Sequence, residues 1–291
     1  PGVRRVEVRE RGLVGTLLLP ADDGPHPGVI VLGGSSGGIR EPLAALLASR
    51  GYAALALAFF GADGLPPHLA DIPLEYFETA LDWMVTRPEV RGARCSLLGT
   101  SRGAELALLL GATFPRVGAV IAYAPSGVLW GAVGASGPAW TYHGKPLPIV
   151  PDRVSPELDA SIAARAPVSA APWYQHNLAD EAALAPATIA VERIAGPVLL
   201  ISGDDDQMWP SSLMAERIMR RLAAHHFAWP YRHLRYADAG HLIAPPWQPT
   251  TVNSRLHPTV GIAFAYGGTP AGQAHANADS WNHVLALLAA Q

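Results

Sequence analysis

The chain has 291 residues, of which 49% are hydrophobic and 15% are charged, so it can form a large core and is not wholly disordered. Its 21 basic and 24 acidic residues give a formal net charge of −3, which excludes the strongly basic composition typical of nucleic-acid-binding proteins. A run of 18 apolar residues is absent and Cys95 is the only cysteine, so we expect no membrane span, no disulfide framework and no cysteine-based zinc site.

Short apolar runs alternate with helical patterns along the first part of the chain. Predicted strands span 6–8, 13–19, 28–32, 52–60, 95–98 and 117–123, and predicted helices span 41–50, 73–86 and 104–111. The many alanines within 52–60 also leave a buried helix open at that position. Because strand and helix alternate at this spacing, the pattern indicates a parallel, doubly wound sheet.

Residues 126–196 interrupt this alternation, since they are rich in proline, glycine and alanine and have no clear period. A structureless loop of that size is uncommon in a compact domain unless it is functional. We therefore predict an insertion over the carboxyl edge of the sheet, partly helical around 156–165. The alternation then returns, with strands at 197–201 and 231–236 and helices at 211–224 and 277–290. The prediction is a single α/β domain over 1–291 with a cap-like insertion.

One segment, 99–103, matches the Gly-x-Ser-x-Gly pattern of a nucleophile elbow, with Ser101 at its centre. In such an elbow a tight turn from strand to helix exposes the serine hydroxyl, and the flanking glycines avoid clashes. The same pattern occurs twice within 33–38, centred on Ser35 and on Ser36. Ser101 follows a predicted strand and precedes a strong helix, whereas the glycine pair after Ser36 is a poor helix start. We therefore predict Ser101 as the nucleophile, with an ordinary strand-to-helix turn as the alternative.

A serine hydroxyl needs a base to accept its proton, and a third group usually orients that base. Among the 11 histidines, His241 directly follows the last predicted strand, where a loop can reach the carboxyl edge of the sheet. Asp204, Asp205 and Asp206 follow the strand at 197–201. We predict Asp206 as the acid, because Gly-x-x-Asp followed four residues later by proline is typical of acid loops in such sheets. Asp205 is the alternative acid. The three aspartates could also suggest a metal site, but the sequence shows no second cluster of suitable ligands.

The chain order Ser101, Asp206, His241 is that of α/β-hydrolases and differs from the orders of chymotrypsin-type and subtilisin-type enzymes. All three residues come just after predicted strands, at the edge where open α/β sheets place their sites. The oxyanion would be held by the backbone N–H of Arg102 and by a second N–H from the loop Gly34-Ser35-Ser36. A nucleotide-phosphate role for this loop is disfavoured, because it matches neither the dinucleotide fingerprint nor the Walker pattern.

Further stretches share their residues with one known family, namely 37–41, 74–78, 98–106, 140–148, 205–209, 239–246, 266–268 and 274–276. They resemble the catalytic C-terminal domain of type I acyl-CoA thioesterases and bile acid-CoA:amino acid N-acyltransferase. The resemblance extends over about 1–281. It implies an α/β-hydrolase that cleaves acyl thioesters, and it places the triad on Ser101, Asp206 and His241, in agreement with the assignment above.

The resemblance also bears on the reaction and on the ends of the chain. Glu105 and Trp209 also match family positions, and we expect both to have a packing or supporting role rather than to take part in the reaction. The amino-acid-conjugating branch of the family carries a cysteine nucleophile, whereas a serine acyl-enzyme usually favours water as acceptor, so we expect hydrolysis.

Family members typically have a β-sandwich domain before this one. Since the chain begins at Pro1 without a methionine, we expect either a trimmed terminus or a stand-alone relative.

We therefore predict a serine hydrolase that cleaves an acyl thioester or a carboxylic ester through an acyl-enzyme on Ser101, without a metal or organic cofactor. The alternatives are an acyltransferase that uses an amine or alcohol acceptor, and a hydrolase-like binding protein without catalysis. Trp140, Tyr142 and Trp209 are the predicted substrate-binding residues. Aromatic residues of the insertion suggest an apolar acyl pocket, and a packed cap without a substrate role is equally open. The expected partner is a small-molecule substrate, no nucleic-acid partner and no membrane span are expected, and the expected setting is cytoplasmic.

Overall fold

The computed structural model describes residues 2–153, 156–163 and 167–291 of the chain. Its strands are β1 (Val3–Val8), β2 (Val14–Pro20), β3 (His26–Leu32), β4 (Ala53–Ala58), β5 (Ile72–Pro73), β6 (Val90–Thr100), β7 (Val117–Tyr123), β8 (Trp140–Tyr142), β9 (Lys145–Pro146), β10 (Val198–Gly203), β11 (Tyr231–Tyr236), β12 (Ser254–Leu256) and β13 (Ala263–Ala265). Its helices are α1 (Glu41–Ala48), α2 (Leu74–Val85), α3 (Arg102–Thr113), α4 (Pro156–Ala163), α5 (Ala171–Asn177), α6 (Glu181–Leu184), α7 (Ser211–Ala224) and α8 (Pro270–Ala289). None of these helices combines the length and the apolar character needed to span a membrane.

Eight of the described strands form the central sheet, in the order β1-β2-β4-β3-β6-β7-β10-β11. At one edge β2 pairs antiparallel with both β1 and β4, and every neighbouring pair from β4 to β11 is parallel. Strands β3, β4, β7 and β10 are buried almost throughout, as parallel strands with helices on both faces must be. The predicted mostly parallel, doubly wound α/β sheet is confirmed.

Helices cover both faces of the sheet, because successive side chains of a strand point to opposite sides. Leu97 of β6 belongs to the core that packs against α2, α3 and α7. Its neighbour Leu98 belongs to the core on the other face, which packs against α1 and α8. With both faces sealed by helices, the loops at the carboxyl edge of the strands are left to form a site.

The predicted insertion, residues 126–196, joins β7 to β10, and its described residues contribute no strand to the central sheet. It contains β8, β9 and the short helices α4 to α6, and α4 confirms the helical prediction from Pro156 to Ala163. The last residues of that predicted stretch, 164 and 165, lie outside the described residues. Aromatic side chains of the insertion pack together and against Trp209, as Trp130, Trp173 and Tyr174 do. The single-domain organisation stays a prediction.

Several boundaries differ from the sequence predictions. The last helix begins at Pro270, seven residues before the predicted start at 277, and Thr269 caps it by accepting the N–H of Gly272 at 3.0 Å. Its first two turns have no apolar stripe, so hydrophobic spacing did not reveal them, although a threonine cap followed by proline is a helix-start signal. The short strands β5, β8, β9, β12 and β13 were also missed, because segments of two or three residues carry no period.

Candidate active site

Ser101 occupies the turn between β6 and α3 and has a backbone that few non-glycine residues adopt, with φ 56° and ψ −121°. The two glycines of the pattern are required by close packing around this turn. A Cβ atom on Gly99 would lie 2.0 Å from the carbonyl oxygen of Gly103, and one on Gly103 would lie 2.3 Å from that of Gly33. The first turn of α3 therefore presses on the end of β3, and Ser101 is held at the carboxyl edge.

Ser101, His241 and Asp206 form one hydrogen-bonded line. His241 Nε2 lies 3.0 Å from Ser101 Oγ, and His241 Nδ1 lies 2.9 Å from Asp206 Oδ2. Because a carboxylate can only accept, Nδ1 carries the proton, and Nε2 is free to accept from the serine hydroxyl. The His241 and Asp206 side chains are only 7% and 1% exposed, so little water competes for these bonds. The structure thus brings the three predicted residues together.

The three consecutive aspartates point in different directions. Asp206 Oδ1 also accepts the N–H groups of Met208 and Trp209, at 3.0 and 3.1 Å. Asp205 accepts the N–H of Gly268 at 2.7 Å, and Asp204 accepts from Arg235 at 2.5 Å. Only Asp206 faces the imidazole, so Asp205, the alternative acid from the sequence, is occupied elsewhere.

The predicted oxyanion donors lie on both sides of Ser101. Arg102 is the first residue of α3, where the N–H has no acceptor within the helix. Gly34 lies directly beside the serine, because a Cβ placed on it would be 3.3 Å from Ser101 Cβ and 3.8 Å from Ser101 Oγ. The first residue of α3 and the loop that contains Gly34 therefore both lie next to the serine, and their role as oxyanion donors stays a prediction.

A buried ion pair supports the elbow from behind. Glu105 is fully buried and receives the Trp140 Nε1–H at 2.7 Å and the Trp130 N–H at 3.4 Å, while Arg102 Nη2 lies 3.3 Å away. Burial raises the pKa of Glu105 to about 7, and the arginine and the two donors oppose that rise by favouring the carboxylate. The network connects the first turn of α3 to the insertion.

The predicted substrate-binding residues do not line the cavity beside Ser101. Trp140 is completely buried, donates to Glu105 and packs against Phe59 at 5.8 Å between ring centroids. Tyr142 packs edge-on against Phe114. Trp209 is buried behind His241, with ring centroids 6.0 Å apart. All three side chains therefore have packing roles, and among them only Trp209 contacts a residue of the triad.

A cavity of about 510 Å³ opens beside Ser101 and His241. Its walls come from the loop after β3, from α1 and from the segment 242–266, and none of its lining residues belongs to the insertion at 126–196. The expectation that the insertion supplies the pocket wall therefore finds no support in the described residues. Apolar side chains form much of the wall, among them Ile39, Leu43, Leu46, Ile243 and Val252.

Sequence reasoning missed several polar residues of this cavity. His257 is buried and its Nε2 lies 2.9 Å from Ser35 Oγ. Its Nδ1 accepts the N–H of Thr259 at 3.3 Å, so Nε2–H donates to the serine, and burial lowers the pKa of His257, which favours this neutral form. Tyr266 stacks on His241 with ring centroids 5.9 Å apart. Arg40 also lines the cavity. Arg40 and Tyr266 lie within stretches that carry the family resemblance, but that resemblance assigned them no role, and no local motif marks His257.

A parallel sheet with a strained serine after its central strand, a histidine after its last strand and an aspartate between them in sequence defines an α/β-hydrolase. The family model described as "BAAT / Acyl-CoA thioester hydrolase C terminal" matches residues 72–291. The chain therefore belongs to this family, and the resemblance found in the sequence is confirmed.

Curated relatives agree with the family assignment. Acyl-coenzyme A thioesterase 1 of Mus musculus is 36% identical over 287 residues, which cover 98% of this chain and 64% of the relative. Acyl-coenzyme A amino acid N-acyltransferase 2 of Rattus norvegicus is 33% identical over 285 residues, which cover 98% of this chain and 65% of the relative. The chain thus spans less than two thirds of the length of these relatives.

Among solved structures, the fold resembles that of a dienelactone hydrolase-like promiscuous phosphotriesterase from metagenomic libraries. The TM-score is 0.55 at 18% identity, and the match covers 99% of this chain and 97% of the other. At this identity the likeness supports the fold alone.

The packing of the elbow predicts unequal costs for two glycine-to-alanine substitutions. We expect Gly103→Ala to lower the free energy of unfolding by at least about 2 kcal/mol, because its Cβ would overlap the backbone of β3. Gly118→Ala is the matched control, since its Cβ would meet nothing closer than 3.5 Å. Urea unfolding measures both, and equal stability of the two variants would contradict the packing argument.

The buried pair behind the elbow predicts energetic coupling between Arg102 and Glu105. Arg102→Met and Glu105→Gln should each lower the free energy of unfolding by about 3 kcal/mol, because each leaves a buried partner uncompensated. The double variant should lose less than the sum of the two. Denaturant unfolding of the full cycle measures the coupling, and the exposed pair Glu7 and Arg9 gives the control, where Glu7→Gln should cost less than about 1 kcal/mol. Additive losses at the buried pair would refute the coupling.

Proposed function

We propose that the chain is a serine hydrolase that cleaves an acyl thioester of the acyl-CoA type through an acyl-enzyme on Ser101. The observation that carries this proposal is the hydrogen-bonded line from Ser101 Oγ through His241 to Asp206, at 3.0 and 2.9 Å. The family to which the chain belongs, and the thioesterases among its relatives, support the choice of a thioester.

In the proposed reaction His241 Nε2 accepts the proton of Ser101 Oγ while the oxygen attacks the acyl carbonyl. Asp206 stabilises the imidazolium that forms, and its two backbone hydrogen bonds keep it oriented. The N–H of Arg102 and an N–H of the loop Gly34-Ser35-Ser36 would stabilise the oxyanion, a contribution typically worth about 100- to 1000-fold per donor. The thiol then leaves with the proton from His241, and His241 activates water to release the acid.

The first test removes the nucleophile. Ser101→Ala should lose at least about 10⁴-fold in kcat on an acyl-CoA, and Asp206→Asn about 10⁴-fold, because the wrong histidine tautomer is then favoured. Ser49→Ala, at the exposed end of α1, is the control and should keep the activity of the unmodified chain.

A fluorophosphonate probe should label the peptide that contains Ser101 and no other serine peptide. Absence of label together with retained turnover in Ser101→Ala would contradict a serine mechanism. Absence of both label and turnover in the unmodified chain would favour a binding protein.

An acyltransferase is the second candidate, and the N-acyltransferase relative from rat favours it. Both reactions share the acyl-enzyme and differ in the group that attacks it. If transfer is the reaction, added glycine should yield a conjugate at the expense of free acid, as mass spectrometry of the products can measure. We expect free acid as the main product at 10 mM acceptor, roughly the millimolar scale at which a weakly bound nucleophile competes. A conjugate as the main product would overturn the hydrolase proposal.

A further inference from the structure

The cavity beside Ser101 contains positive charge without a matching negative charge. Arg40 and Arg255 both line it, and no aspartate or glutamate does. In the described part of the chain neither guanidinium group forms an ion pair or a side-chain hydrogen bond, although most other arginines do. The three carboxylates of the loop after β10, Asp204 to Asp206, bind Arg235, Gly268 and His241 respectively. The two arginines therefore present unused donors to the cavity.

Arg40 lines the same cavity as Ser101 and packs against the residue that follows β3. Its Cγ and Nε are each 3.1 Å from the position of a Cβ on Gly33, and the next residue, Gly34, abuts Ser101. The side chain is partly buried, so its charge is only partly solvated. Burial, together with the like charge of Arg255, lowers the pKa of Arg40, although a guanidinium remains charged at neutral pH. Holding such a group against Gly33 without a partner costs free energy that a bound anion would offset.

Arg255 is brought to the same place by the strand pair β12–β13. This pair is fixed to the active site through His257, which donates to Ser35, and through Tyr266, whose carbonyl accepts the N–H of His241 at 2.8 Å. Both arginines act on the phenol of Tyr266 and oppose the rise in its pKa that burial causes. Because Tyr266 stacks on His241, the two cations lie around one wall of the catalytic cavity.

We propose that Arg40 and Arg255 bind a carboxylate carried by the acyl group of the substrate, so that the enzyme prefers acyl chains ending in an acid over plain alkyl chains. This inference rests on the proposed thioester hydrolysis and adds a substrate class to it. A planar guanidinium pairs well with a carboxylate through parallel N–H donors.

An acyl-CoA with an acidic acyl chain carries two kinds of anion, the carboxylate of the acyl group and the phosphates of coenzyme A. The position of Arg40 favours the carboxylate. Arg40 packs against Gly33, one residue before the glycine that abuts Ser101, and Arg40 and Ser101 line the same cavity. We therefore expect its guanidinium to meet a group a few bonds from the scissile carbonyl. The phosphates of coenzyme A are separated from the sulfur by the whole pantetheine arm. The apolar lining near Leu43 and Leu46 would contact the methylene groups between the two carbonyl carbons.

The test compares glutaryl-CoA with valeryl-CoA, which have five acyl carbons each and differ in the terminal carboxylate. We expect the unmodified chain to prefer glutaryl-CoA in kcat/KM. Arg40→Met should lower the ratio of the two kcat/KM values about 10- to 100-fold, as the loss of a charged hydrogen bond would. Arg255→Met should lower the ratio as well, and because the Arg255 side chain is exposed, its replacement should leave the fold intact. Arg50→Met, an exposed arginine beyond the other end of α1, is the matched control and should leave the ratio unchanged.

The same two acyl groups on N-acetylcysteamine separate the carboxylate from the phosphates. A fall in the ratio with both thiols supports the proposal. Equal losses for glutaryl-CoA and valeryl-CoA that vanish with N-acetylcysteamine would assign the arginines to the phosphates and overturn it. An unchanged ratio in Arg40→Met would overturn it too.

If no thioester is cleaved and Ser101 is not labelled, the proposed function fails while the anion site is still testable. Calorimetric titration with glutarate should then show binding to the unmodified chain that is at least about 10-fold weaker in Arg40→Met, as expected for loss of a charged contact. Equal binding of glutarate to both proteins would refute the site.

Discussion

The contact between the first turn of α3 and the end of β3 is the constraint on which the site depends. The backbone of α3 approaches β3 so closely that Gly103 has no room for a Cβ atom, and it approaches the end of β6 so closely that Gly99 has none either. Ser101, which connects β6 to α3, is consequently held in a positive-φ conformation that the surrounding sheet and helix impose. Its hydroxyl is thereby presented at the carboxyl edge, and His241 and Asp206 reach it from loops after β11 and β10. The strain is confined to this turn, and the large cores on both faces of the sheet hold the strained conformation in place.

Much of this arrangement could be predicted from the sequence, because it depends on local signals. Continuous apolar runs predicted the buried parallel strands, and the pattern around Ser101 predicted the elbow, since both are set within a few residues. Asp206 and His241 could be predicted because they closely follow strands whose carboxyl ends meet at one edge of the sheet. The choice of Asp206 over Asp205 needed the acid-loop pattern, and the structure places only the former against the imidazole.

The composition of the cavity could not be predicted in the same way. Arg40 and Arg255 are far apart in sequence and meet only because the strand pair β12–β13 folds across the loop after β3. His257 has no motif, and its role follows from a hydrogen bond to Ser35. Conversely, the aromatic residues of the insertion suggested a pocket wall, yet Trp130, Trp173 and Tyr174 pack among themselves. Aromatic content predicts burial, and only the tertiary structure distinguishes a packed cluster from a binding surface.

The three neighbouring aspartates after β10 have a mechanical consequence. Each is attached to a different element: Asp204 to Arg235 of β11, Asp205 to the turn before α8, and Asp206 to the histidine. The loop is therefore held at three points, and a rotation that broke one of these hydrogen bonds would also strain the other two. Repulsion among adjacent like charges is reduced because the carboxylates diverge, and each carboxylate binds a different part of the fold.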